Sequence, residues 1–196
     1  MPISLPPGRD QDVGLQRITS AELFPAAGVP LHVNKPMHVG DSALHDHEFL
    51  EIAFMVDGHA VHRTIHGEQA VGRGDLILLH PGQWHAYEKA HNLVIYNCCF
   101  GVDLLMRELA WARTDPVLGC LFPARLPAAA DRAKRSASQG VMALRLEGDD
   151  FTRCLAELEV LRVLLRGTDT ALARGDIVAH LLLVLGLVAR AAAADR

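Results

Sequence analysis

A chain of 196 residues, half of them hydrophobic and about a fifth charged, is long enough for one domain with a sizeable core, alone or with an appendage. Its net charge of −4 gives no bulk electrostatic footprint for a nucleic-acid backbone. Cys98, Cys99, Cys120 and Cys154 make no C-x-x-C pair, so a reducing cytoplasm is expected rather than a disulfide framework.

Taken in order, residues 1–30 are rich in Pro and Gly and read as a loosely structured arm. Within it residues 20–24 are expected to form a short helical turn that Pro25 ends. No apolar run of signal-peptide length occurs in the first 25 residues. Residues 31–35 are the first expected strand. Short apolar runs follow at 51–56, 59–65, 69–71, 76–79, 84–88 and 93–100, broken by Asp57-Gly58, His66-Gly67, Gly72-Arg73-Gly74 and Pro81-Gly82. Such spacing is that of an all-β barrel or sandwich.

After Gly101 the pattern changes. Leu104, Leu105, Glu108, Leu109 and Ala112 fall at helical spacing, and the basic run Arg132-Ala133-Lys134-Arg135 reads as an exposed loop. Residues 141–146 alternate, as a strand or a connector. Asp149 or Asp150 can cap a helix bearing Phe151, Leu155, Leu158, Leu161 or a neighbour of Arg162, and Leu165. A second helix, expected from Thr168-Asp169, carries Leu172, Val178, Leu181, Leu182, Leu185 and Val188. A connection this short predicts an antiparallel hairpin, and leucines on more than one face predict contact with a partner subunit. The apolar run 177–189, interrupted by His180, is too short to span a bilayer, so no membrane is expected.

The chemistry concentrates in His45-Asp46-His47-Glu48-Phe49-Leu50-Glu51. Side chains alternate faces along a strand, so one strand can aim His45, His47 and Glu51 at a single point. His85 is available downstream as a fourth donor. Three imidazoles and a carboxylate suit a divalent first-row metal such as Zn, Ni, Fe or Mn. Nothing supports nucleophilic catalysis: there is no G-x-S-x-G, and no cysteine sits in an evident basic or helix-start context.

The blocks Gly40-x4-His45-x-His47-x3-Glu51-x6-Gly58 and Gly74-Asp75-x4-His80-Pro81-Gly82-x2-His85 resemble the two signature motifs of the cupin superfamily. The first spacer is one residue short, His80-Pro81-Gly82 replaces the usual Pro-x-Gly, and Glu88 or Lys89 stands where an asparagine is common. More narrowly, residues 74–87 and 92–100, with the H-x-H-x-F-x-E-I opening at His45, are similar to the effector-binding and dimerisation domain of AraC/XylS-type transcription regulators, of the rhamnose-regulator flavour. The resemblance implies a mainly β, jelly-roll-like cupin barrel over 31–148 with a short helical insertion. It also implies a helical dimerisation hairpin over 149–196, and metal-ligand positions at His45, His47, Glu51 and His85. DNA would be met only through a helix-turn-helix domain that this chain does not carry and that would begin after Arg196.

A tyrosine at the position of Tyr87 stacks on the sugar in the arabinose-regulator type, and the resemblance implies that role here. Met55 should line the same cavity, with Trp84 beside it at opposite parity and Arg63, Asn97 and His80 as polar candidates. His59, His62 and His66 read as surface histidines of a hairpin, and His32, His38, His91 and His180 as structural or solvated. The expected function is a small-molecule sensor, with a sugar among the candidate effectors, acting as the homodimeric regulatory half of a transcription factor. The alternatives are a stand-alone metal-dependent cupin enzyme of dioxygenase or isomerase type, and a dimerisation module with a vestigial site.

Overall fold

The structure, a computed structural model, describes residues 16–26, 28–122, 141–167 and 169–194. The basic run at 132–135 and most of the expected arm lie outside the described residues. The described part of that arm carries two elements. β1 (Gln16–Ile18) pairs in parallel with β4 (His45–His47), and Thr19 caps α1 (Ser20–Leu23) reciprocally with Glu22.

The strands that follow are β2 (Leu31–Asn34), β3 (Met37–Gly40), β5 (Leu50–Thr64), β6 (Gly67–Gly72), β7 (Asp75–Leu79) and β8 (His85–Phe100). After the segment beyond β8, β9 (Val141–Arg145) pairs with β7, so the alternating run at 141–146 is a strand. The sheet runs β1-β4-β8-β5-β7-β9, with β2 and β3 also on β8 and β6 on β5. Among the described residues this path is open, from β1 at one end to β9 at the other.

Two expected breaks are absent. The apolar runs expected at 51–56 and 59–65 lie along one 15-residue strand that ends at Thr64, and those at 84–88 and 93–100 along one 16-residue strand that begins at His85. Asp57-Gly58 is a bulge between them rather than a turn: the β5–β8 register shifts between Met55 and Asp57, again before His59, and again before Val61. The reason is close approach. Gly58 has φ 74°, and a Cβ there would stand 2.2 Å from the carbonyl oxygen of Asn92 on β8. The chain turns only at Thr64–Gly67, where β5 passes into β6.

Each long strand has two apolar faces. Ala53 and Met55 of β5 join Ile77 and Leu79 of β7 and Leu93 and Ile95 of β8 in an interior cluster. Their neighbours Ile52, Phe54, Leu76, Leu78, Tyr96 and Cys98 face the other way, into a larger cluster shared with the helices. That second layer contains α2 (Val102–Arg107), single 3-10 turns at Ala110–Arg113 and Leu118–Leu121, α3 (Gly148–Leu164) and α4 (Arg174–Ala194). The helical spacing expected across residues 104–112 therefore breaks after Arg107, and α4 begins five residues later than Asp169. α3 contributes buried Phe151, Cys154, Leu158 and Leu161; α4 contributes Ile177, Leu181, Val184, Leu185 and Val188. α4 has 21 residues, and an 18-residue stretch of it with mean hydropathy 2.2 makes it long and apolar enough to cross a membrane, unlike the shorter run read from sequence. Much of it is instead buried against the sheet and α3. Mainly β with a C-terminal helical hairpin, the architecture is cupin-like, as expected.

Candidate metal centre and ligand pocket

β4, β5 and β8 carry the centre. Across β4 and β8, His45 faces His85 directly in the register, while Glu51 near the start of β5 lies opposite Cys99 of β8. β1 braces β4 from outside: Arg17 bonds both carboxylate oxygens of buried Asp46, with Nε to Oδ1 at 2.9 Å. Holding Asp46 outward fixes its neighbours His45 and His47 on the opposite face.

His47 is fully buried and donates from Nδ1 to the carbonyl of Phe49 at 2.8 Å, with its ring stacked on Phe49 at 4.7 Å. A carbonyl can only accept, so the proton sits on Nδ1 and Nε2 presents a bare lone pair. That atom is 3.6 Å from Glu51 Oε2, beyond hydrogen-bond distance, and has no hydrogen-bond partner among the described residues. The same holds for Nε2 of buried His85. Donor atoms of His47, Glu51 and His85 all lie within 4.8 Å of one another. Two unpartnered imidazole nitrogens and a carboxylate converging in a buried space fit a divalent first-row ion.

Burial sets the charge state. It pushes the Glu51 carboxyl up to about 7, against the smaller opposing effect of the Cys99 thiol, whose Sγ lies 3.8 Å away. It takes His47 down to about 4, partly offset by the Phe49 carbonyl, and holds His85 well below its ordinary range. The group is therefore close to neutral near pH 7. A cation that drew a proton from Glu51 would meet a carboxylate and two neutral imidazoles, which are the protonation states metal ligands need.

His45, expected as a fourth ligand, stands apart from this group. It is half-buried, its Nδ1 lies 3.0 Å from the Ala43 carbonyl, and its ring centroid is 4.4 Å from that of His85. Of the expected pocket residues, Tyr87, Met55 and Asn97 share the interior. Tyr87 is buried with its ring centroid 5.9 Å from His85, and its hydroxyl has no partner among the described residues. Asn97 pairs with inward-facing Ala53, and its Oδ1 is likewise buried and unpartnered.

Three candidates lie elsewhere. The alternation that turns His62 inward turns Arg63 out, where it binds Glu88 at 2.7 Å. His80 has the parity of Leu76 and Leu78, but that parity faces the helices, and its Nε2 lies 3.1 Å from the Leu121 carbonyl. Trp84 is half-buried on the connection before β8, outside the cluster.

One residue of the site was not expected. His62 is only 2% exposed, its Nε2 stands 3.2 Å from His85 Nδ1, and its ring centroid is 5.2 Å from that of Tyr87. It lies eleven positions beyond Glu51, an odd offset that strict alternation assigns to the opposite face. The bulges around Gly58 reverse that phase. His62 also lines an open cleft of about 210 Å³ with Thr64, His66, Glu68 and Gln69 of the β5–β6 hairpin and Val141 and Ala143 of β9.

Known proteins share parts of this chain. HTH-type transcriptional activator RhaR of Klebsiella pneumoniae is 28% identical over 97 residues, half of this chain and 34% of that protein. The chain thus spans about a third of the length of that relative. The solved structure of apo ToxT K231A from Vibrio cholerae aligns over 66% of this chain and 47% of its own, with 10% identity and a TM-score of 0.44. A cupin-2 domain protein of Shewanella frigidimarina aligns over 35% of this chain and 68% of its own, with 13% identity and a TM-score of 0.33. The family model of the AraC-like ligand binding domain matches residues 32–158, nearly two thirds of the sequence and every strand of the candidate site but β1. The chain belongs to the AraC-like ligand binding domain family.

Proposed function

We propose that this chain is the effector-sensing part of an AraC-type transcription regulator, in which a small molecule binds inside the sheet beside a divalent ion held by His47, Glu51 and His85. One observation carries the reading. Four buried polar atoms (His47 Nε2, His85 Nε2, Tyr87 Oη and Asn97 Oδ1) have no hydrogen-bond partner among the described residues, and all belong to residues of the same interior. An unsatisfied buried polar atom costs about 1–3 kcal/mol, so a group of them supports a site that a ligand completes. The ion would contribute a positive charge able to bind an oxygen of the effector. The protein's own residues supply the rest: Tyr87 a ring face and a hydroxyl, Asn97 an amide, Met55 and Ile95 an apolar wall.

In this reading the effector works by population shift, favouring the arrangement of sheet and helices in which its contacts are made. DNA is met through another part of a longer regulator, the helices after residue 148 join two copies, and the protein works in the cytoplasm. His45, with its ring centroid 4.4 Å from that of His85, stands beside the centre as a further imidazole able to meet the ion or the effector.

The test is metal analysis and thermal shift on purified protein beside His47→Ala and Glu51→Ala variants. Bound metal near one per chain, lost in both variants, with a raised transition temperature on metal addition, is the expected result. Equal metal content in all three would end the metal part of the proposal. A second reading, a metal-dependent cupin enzyme, is favoured by the donor set, since two imidazoles and one carboxylate leave positions open at an ion for a substrate. Turnover of a candidate substrate by the metal-loaded chain, absent in Glu51→Ala, would select it.

A further inference from the structure

His62 belongs to none of the ligand positions, yet among the described residues it makes the one close polar contact to His85 outside the centre. The tautomers follow from the geometry. If His85 offers Nε2 to the interior as a lone pair, its proton is on Nδ1, and the atom within reach of that proton is His62 Nε2 at 3.2 Å. His62 must then accept, which puts its own proton on Nδ1. Among the described residues, Nδ1 of His62 has no hydrogen-bond partner, and the ring lines the cleft at the β5–β6 hairpin. The opposite tautomer of His85 would place a proton on Nε2, in a buried space where it has no acceptor.

The two imidazoles of the centre are thus oriented alike. His47 is fixed through its Nδ1 by a backbone carbonyl and His85 through its Nδ1 by a side chain. A carbonyl is a permanent acceptor, whereas an imidazole accepts only in one tautomer. The His85 anchor is therefore the adjustable one, and it faces the cleft.

We propose that His62 is the positioning residue of the centre: it accepts the Nδ1 proton of His85, holds that ring with Nε2 bare toward His47 and Glu51, and links its orientation to the cleft. This rests on the metal reading above for its consequence, though not for its geometry. Outer partners of metal-bound histidines are worth roughly 10–100-fold in metal affinity.

Two variants separate positioning from packing. His62→Phe keeps a ring of similar size and removes the acceptor; His62→Gln keeps an acceptor at the end of a flexible chain. With zinc competed against a chromophoric chelator, His62→Phe is expected to bind roughly 10–100-fold more weakly than the parent, and His62→Gln to regain most of that loss. Nitrogen-15 spectra of the metal-free chain should show His85 as the single Nδ1–H tautomer in the parent and in His62→Gln, and as a mixture in His62→Phe. Zinc affinity in His62→Phe within about twofold of the parent, or an unchanged His85 tautomer, overturns the proposal. Should the parent itself take up no zinc, the metal reading fails, and the His85 tautomer in the metal-free variants still decides the role of His62.

Discussion

Replacing Gly58 with alanine tests the bulge that turns His62 inward. Two costs arise. At φ 74° an L side chain sits in the left-handed region, worth roughly 1–2 kcal/mol for a residue that has a Cβ. The added methyl would also stand 2.2 Å from the Asn92 oxygen and 2.5 Å from both the Asn92 carbonyl carbon and the His91 oxygen. Those are backbone atoms of β8 and cannot rotate away, so the strands must part, at a further cost of order 1–3 kcal/mol as for an overpacked core. The sum is about 3 kcal/mol, which for a domain of this size lowers the transition temperature by roughly 6–12 °C. Gly40 is the control: its φ is 79° and a methyl added there would have nothing within 4 Å, so Gly40→Ala should show the conformational cost alone. Urea unfolding of both variants, with equal m-values, reads the difference directly. If Gly58→Ala costs no more than Gly40→Ala, the close approach of β5 to β8 is not what holds the bulge. The inward turn of His62 would then need another cause.

Further outcomes follow from the charge states and the unpartnered atoms. His47 and His62 are each depressed to about 4, so the unfolded chain binds more protons between pH 4 and 6.5, and their stabilisation, complete above 6.5, is lost as pH falls through that window. Glu51, raised to about 7, acts with the opposite sign: its contribution is complete below 4.5 and is lost as pH rises through 7. The histidines outnumber it. Metal-free protein should therefore gain stability from pH 4.5 to 6.5, and Glu51→Gln should steepen that rise by about 1.4 kcal/mol per pH unit, measured by urea midpoints; an unchanged slope would contradict a buried neutral carboxyl. Zinc affinity should fall as pH drops below about 7, because binding must expel the Glu51 proton, and calorimetry in buffers of different ionisation enthalpy should count it. Tyr87→Phe should stabilise the ligand-free chain by about 1 kcal/mol, since it removes a buried hydroxyl without a partner; destabilisation of that size would mean the hydroxyl is already satisfied.

How much of this was legible in the sequence depends on phase. Alternation puts His45, His47 and Glu51 on one strand, whereas the chain bends after His47 and Glu51 belongs to β5, so alternation alone does not explain their convergence; it is the resemblance to the cupin motifs that places His85, at the start of β8, with them. Tyr87 and Met55 followed from the same parity. His62, Arg63 and His80 went wrong for one physical reason: parity says that two residues share a face, never which face is the interior, and bulges reset it. Gly58 marks the reset, but a glycine after an aspartate reads as a turn unless the neighbouring strand is known to press against it. The helices were visible as apolar periodicity. That one face of α4 lies on the back of the sheet depends on contacts between segments far apart in the chain, which local pattern cannot supply.

The two-faced character of β8 has a mechanical meaning. Asn97 reaches into the interior, while its neighbour Tyr96 points outward and donates its hydroxyl to Glu159 of α3 at 2.6 Å. Glu159 is held in turn by Arg162, and Lys35 sits over the Tyr96 ring at 4.9 Å. Pocket and helix are therefore adjacent teeth on one rack, separated by a single peptide unit. If an effector fills the interior as proposed, a sliding or tilting of β8 would reach α3 through the Tyr96–Glu159 hydrogen bond.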